Sequence, residues 1–201
     1  MTLPWILCLT ATVLPVFFSR ISAAPIWLSL QALALGWITI SAHHELSTHV
    51  MLAGIEVLLV RAVLVPYMLR RALHNSPKTR MGLMPSNLFT WGVAITLIIL
   101  AFNFGDGSDA NMRPLTLGVI AATAMIACLI LATNQEPTAQ LVAVLFMENA
   151  LALFESLMPE PWPLPVHLLI SGVYVLTVSV GSWLVGEHTN ARQEDASRPI
   201  S

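Results

Sequence analysis

Residues 114–133 read PLTLGVIAATAMIACLILAT, twenty consecutive positions without a charged side chain. Crossing the hydrocarbon layer of a bilayer takes about 20 apolar residues, so a run of this length reads as a membrane span rather than as a core helix. Six further apolar stretches flank it, at residues 4–18, 25–42, 50–69, 87–104, 138–158 and 165–185. Backbone groups in hydrocarbon have to be satisfied internally, and these runs are much longer than the ~10-residue alternating strands of a membrane barrel. The expected fold is therefore an all-α, polytopic integral membrane protein with about seven transmembrane helices. A single transmembrane domain over residues 1–186 would be followed by a polar cytoplasmic tail, 187–201, that is partly disordered.

Composition agrees. The 201 residues are 56% hydrophobic and 10% charged, with a mean hydropathy of +0.76. Soluble domains carry about 25% charged residues because their surface has to be solvated. The net charge of −2 and the lack of a basic stripe argue against nucleic acid as a partner. Cys8 and Cys128 lie far apart in apolar runs, which suits small core residues and neither a disulfide framework nor a metal cluster. The small residues Ser22, Ala23 and Ala24 resemble a signal cleavage site, but no basic residue precedes Arg20, so the first stretch reads as a span.

The basic residues set an orientation. Arg70, Arg71, Lys78 and Arg80 cluster after the third stretch, Arg20 follows the first, and Arg192 and Arg198 lie in the tail. With seven spans these fall on one side, which the positive-inside rule makes cytoplasmic and the N-terminus external. His43, His44, Glu45, Asp106, Asp109, Glu160 and the lone basic Arg113 fall on the other. The connector GDGSDANMR, 105–113, lacks the residue order of a calcium loop.

Four ionisable residues fall inside the apolar stretches: Glu56, Arg61, Glu148 and Glu155. Each costs several kcal/mol unless paired, hydrated or neutralised, which makes intramembrane charges the sharpest functional signal available. Glu56 and Arg61 are five positions apart, about 140° around an α-helix, so they pair only if Arg61 folds back; otherwise each faces a partner subunit. Pro66 lacks an N–H, which frees a carbonyl near Ala62 and predicts a bend. Glu148 and Glu155, seven apart, share one helix face with Asn149 beside them. Carboxyls stacked this way can relay protons through water; the plain alternative is an interhelical hydrogen bonder.

The cluster HHELSTH, 43–49, spaces His44 and His49 one residue too far apart for the zinc-protease signature, and no third ligand is evident. It reads, like His74 and His167, as interfacial. Glycine-rich phosphate loops, Gly-x-Ser-x-Gly elbows and Cys-x-x-Cys pairs are absent from the sequence, and no cofactor or metal is expected.

Two segments carry a resemblance. VRAVLVPYMLRRAL (60–73) resembles the helix of the hydrogenase-4 component E family in which a lysine precedes an L-V-P bend, with Arg61 in the lysine position and Pro66 as the proline. VLFMENALAL (144–153) resembles that family's L-M-E-N motif through Met147, Glu148 and Asn149, and Gln31 falls where the family has a glutamine in its second helix. The resemblance extends from about Gln31 onward. It implies a membrane-arm subunit of group-4 hydrogenases and related formate-oxidising complexes, in a bacterial or archaeal cytoplasmic membrane. Its last two helices are similar to part of the complex I K subunit. The implied proton carriers align with Leu145, with Glu148 three residues away on nearly the same face, and with Ser171, where members of the family tend to have Asp. The expected role is a non-catalytic subunit between antiporter-like and redox-anchoring subunits. Glu148, Glu155 and Ser171 would pass protons laterally, with Glu56 and Arg61 in the same hydrophilic axis. A stand-alone secondary transporter would show repeated halves and paired broken helices; a purely structural scaffold would conduct nothing.

Overall fold

Hydrocarbon offers no partner to a backbone N–H or C=O, so a chain of this composition has to close its hydrogen bonds within helices. The computed structural model describes residues 3–18, 20–42, 48–74, 82–84, 87–105, 113–155, 158 and 162–197. Its helices are α1 (Leu3–Phe18), α2 (Ala24–Ala42), α3 (Thr48–Glu56), α4 (Val65–His74), α5 (Leu88–Gly105), α6 (Arg113–Thr133), α7 (Pro137–Glu155) and α8 (Leu164–Ser197). A 3-10 turn, Ile21–Ala23, leads into α2, and a π-helical segment, Val57–Leu64, joins α3 and α4 into one rod. Among the described residues the one departure from helical pairing is an isolated antiparallel bridge between Arg20 and Gly82.

The protein is an all-helical, multi-pass membrane protein. Among the described residues each of the seven apolar stretches is helical, but four helical segments reach both the length and the apolarity of a span: Ile21–Ser41, Pro114–Thr133, Pro137–Glu155 and Pro165–Glu187. Leu3–Phe18 and Leu88–Asn103 are apolar but shorter. The rod carries Glu56 and Arg61 and changes helix type between them, so it does not present one uniform apolar cylinder. Helix α8 runs on through residues 187–197 of the polar tail to Ser197.

The helices form two layers. In the first, α1 packs on α2 and α2 on the rod; in the second, α5, α6, α7 and α8 each pack on the next. The layers meet with α1 against α6, α2 against α7, and α4 against α8. Burial follows this plan: 56% of the positions in the α7 span are inside the bundle against 22% of those in α8, which makes α7 central and α8 peripheral. Leu28, Leu69, Ile130, Phe146 and Val178 fill one interlayer core, and Trp5, Leu35, Val119 and Leu153 fill a second. Outward positions such as Leu59, Val63, Leu169 and Trp183 stay apolar and exposed, as a surface in contact with lipid does. Gly181 lets α8 approach α7 closely, because a Cβ there would collide with Leu141.

Asparagines organise two of the connections. Asn87 Oδ1 accepts the Thr90 N–H at 2.7 Å, an N-cap for α5. Asn134 Oδ1 accepts the Glu136 N–H at 3.0 Å just ahead of Pro137, which opens α7. The Asn134 amide donates to the Leu83 carbonyl at 3.0 Å, tying residues 82–84 to the bundle.

The π segment closes with the Val65 N–H on the Val60 carbonyl, five residues back. Pro66 follows, and it cannot donate to the Ala62 carbonyl four residues before it. The Ser29 hydroxyl of α2 donates there instead at 2.9 Å, so the carbonyl expected to be freed by Pro66 is answered by a neighbouring helix. Replacing Ser29 with alanine leaves this acceptor without its side-chain donor and is expected to cost about 1–2 kcal/mol. The unfolding midpoint of the full chain in detergent measures it, and Ser29→Thr should restore most of the loss.

Candidate functional site

Polar side chains that cannot face lipid converge between the two layers. Arg61 sits on the π segment and is 2% exposed. Its Nη1 donates to Asn149 Oδ1 at 3.1 Å and to the Glu148 backbone carbonyl at 3.4 Å, and its guanidinium lies 4.4 Å from the centroid of the Tyr174 ring. A desolvated cation over an aromatic face gains about 2 kcal/mol. Arg61 is therefore held by an amide, a carbonyl and an aromatic face, not by the Glu56 carboxylate.

The amide chain continues across the bundle. Asn149 Nδ2 donates to Gln31 Oε1 at 2.9 Å, Gln31 Nε2 donates to Thr12 Oγ1 at 2.8 Å, and the Thr12 hydroxyl donates to the Cys8 carbonyl at 3.1 Å. Thr12, Gln31 and Asn149 are all fully buried. Each donor finds an acceptor in a fixed direction from α7 to α1, which orders the network and makes it cooperative.

The carboxyls lie on the other side of Arg61, toward α8. Glu148 Oε1 accepts the Thr177 hydroxyl at 2.9 Å, while its buried Oε2 has no hydrogen-bond partner among the described residues. Glu155, on the same face of α7, meets His167 Nδ1 at 3.2 Å through Oε2. The second imidazole nitrogen, Nε2, meets Glu56 Oε2 at 3.0 Å. Glu56 Oε1 accepts the Ser171 hydroxyl. One histidine thus bridges carboxyls from α3 and α7, with Ser171 as a further tie.

Several expectations change here. Glu56 and Arg61 lie about 140° apart only on a regular α-helix. The π segment starts at Val57, and its i→i+5 bonding brings the fifth residue almost above the first. Both side chains consequently face the interlayer seam, where they take different partners. His167, expected at the membrane interface, is 8% exposed and bonded at both nitrogens. Helical spacing carries a signal for this: His167, Ser171, Tyr174 and Thr177 are four, three and three residues apart, a polar stripe on one face of α8. Trp162 and the prolines around it mask that stripe, because the same residues are common at a membrane interface.

Other positions separate from the site. Leu145 is fully buried and apolar, and the carboxyl on this part of α7 belongs to Glu148. Cys8 is buried, whereas Cys128, expected in the core, is exposed. Of the HHELSTH cluster, residues 43–47 lie outside the described residues, as do Lys78, Arg80, Asp106, Asp109 and Glu160. Among the described residues no group of three or more metal-ligating side chains converges on one point. Comparison with protein-family models, curated proteins and solved structures returned no match to the chain.

The amide chain makes a sharp prediction. Asn149→Leu strips a partner from both Arg61 and Gln31 and is expected to cost about 3 kcal/mol, since two buried polar groups lose a hydrogen bond. Gln31→Leu combined with Asn149→Leu should cost clearly less than the sum of the single changes. A double-mutant cycle on detergent unfolding midpoints checks this, and additive losses would show that the chain is not a unit.

Proposed function

We propose that this chain is a non-catalytic membrane subunit of an ion-translocating, complex I-like redox assembly related to group-4 hydrogenases, in which it helps to carry protons. The observation that carries the reading is the placement of Glu56. The resemblance to the hydrogenase-4 component E family calls for a carboxyl at position 171, and this chain has serine there. The Ser171 hydroxyl is bonded to Glu56 of the facing rod, so a carboxyl is delivered to the same place from another helix.

Charge balance supports the same conclusion. Among the described residues the seam holds three carboxyls, Glu56, Glu148 and Glu155, against one guanidinium and one imidazole. Even with His167 charged, this interior is neutral only when at least one carboxyl carries a proton, and an uncompensated buried charge is costly. Glu148, with one oxygen unpartnered, is well suited to hold it. Glu148 also borders an apolar groove of about 330 Å³ lined by Ile120, Ala124, Met147, Leu151 and Phe154, a surface a neighbouring subunit could cover. The partners in this reading are antiporter-like and other membrane-arm subunits together with the lipid bilayer, and the redox chemistry belongs to other chains.

In this reading the rod and the two shorter apolar helices also cross the bilayer. That gives seven spans, with the N-terminus outside and the basic loop and C-terminus in the cytoplasm of a bacterial or archaeal cell. The rod from Thr48 to His74 is about 40 Å long at ~1.5 Å per residue, enough to cross the membrane even with a bend at Pro66.

Affinity purification of the full chain from its native membrane is expected to bring down antiporter-like and hydrogenase-like subunits, with purification alone pointing to a stand-alone transporter. In the assembled complex, Glu148→Gln should leave assembly and uncoupled electron transfer intact while abolishing most proton pumping. Unchanged coupled pumping would leave a structural scaffold.

A further inference from the structure

We propose that His167 is a proton-relay residue that carries protons between Glu155 on α7 and Glu56 on the rod, an inference that rests on the proton-handling reading above. Both imidazole nitrogens are engaged, each with a carboxyl oxygen, and the two carboxyls come from different helices. An acceptor–donor pair on opposite edges of one ring is what a shuttle requires, because an imidazole can take a proton at one nitrogen while releasing another from the second.

The location fits an entry or exit point. Glu155 is the last residue of α7 and His167 lies in the first turn of α8, so the bridge sits at one end of the bundle. The Glu155 side chain is 17% exposed, against 10% for His167 and 12% for Glu56, which makes Glu155 the member most open to solvent. Further along α8 two hydroxyls each hold a carboxyl separately, Ser171 that of Glu56 and Thr177 that of Glu148.

The transfer balances without any further reactant. It begins with Glu155 protonated, Glu56 ionised, and a neutral ring carrying its hydrogen on Nε2. The Glu155 O–H proton passes to Nδ1 as the Nε2 proton passes to Glu56 Oε2. The products are an ionised Glu155, a protonated Glu56 and a neutral ring with its hydrogen on Nδ1.

The test uses the assembled complex in proteoliposomes and the purified full chain. His167→Gln keeps hydrogen bonding but cannot both accept and release a proton. Proton movement coupled to turnover is expected to slow by about 100-fold, the scale of a lost acid–base group, while electron transfer with uncoupler stays at the wild-type rate. In the purified chain, the infrared carboxyl band of Glu56, assigned by its loss in Glu56→Gln, should shift its titration when Glu155→Gln is introduced. That shift should vanish in the His167→Gln background, a loss of coupling that a merely structural histidine does not predict. If His167→Gln does not accumulate, Glu155→Gln has to slow the same coupled step, because it leaves the ring bonded but removes the proton carrier. A complex that pumps normally with His167→Gln yet fails with Glu148→Gln overturns the histidine relay alone. Failure to find any redox partner overturns the proposed place in a redox assembly, and the infrared coupling still decides whether His167 links the two carboxyls.

Discussion

A guanidinium inside a membrane bundle dictates much of what surrounds it. Arg61 cannot be neutralised, and the apolar medium around it has almost no capacity to screen its charge. The protein answers with dipoles and polarisable surface: the Asn149 amide oxygen, the Glu148 carbonyl and the face of Tyr174. Asn149 can turn its oxygen to Arg61 only because Gln31 receives its amide protons, and Gln31 in turn is fixed by Thr12. Five helical elements, α1, α2, the π segment, α7 and α8, are thus tied together by the needs of one cation.

The π segment belongs to the same solution. A wider helical turn costs regular hydrogen bonds, and such segments persist where they reposition side chains. Here the segment turns Arg61 and Glu56 toward the same seam, ends against Pro66, and has the Ala62 carbonyl covered by Ser29. Arg61 then engages α7 while Glu56 reaches α8. The cation and the carboxyls are kept on separate hydrogen-bond partners, so the carboxyls are not locked into a simple ion pair with Arg61.

Much of this was legible in the sequence. The unbroken run at 114–133 and the low charge content determine a helical membrane protein, because water cannot satisfy the backbone of such a chain in a bilayer. Pro66 determines a freed carbonyl at Ala62, and seven-residue spacing puts Glu148 and Glu155 on one face, where both meet α8. Those are consequences of chain chemistry and helical period, and they need no knowledge of neighbours.

What only the tertiary structure decided is which polar group answers which. The angle between Glu56 and Arg61 depends on a change of helix type that no residue between them announces. The proximity of Glu56 to Ser171 links positions 115 residues apart, and His167 becomes a bridge only because α3 and α7 both arrive beside the start of α8. Local sequence sets the face on which a side chain emerges; it does not set the helix it meets. Buried polar groups are satisfied through contacts between helices, and those contacts exist only once the two layers have packed.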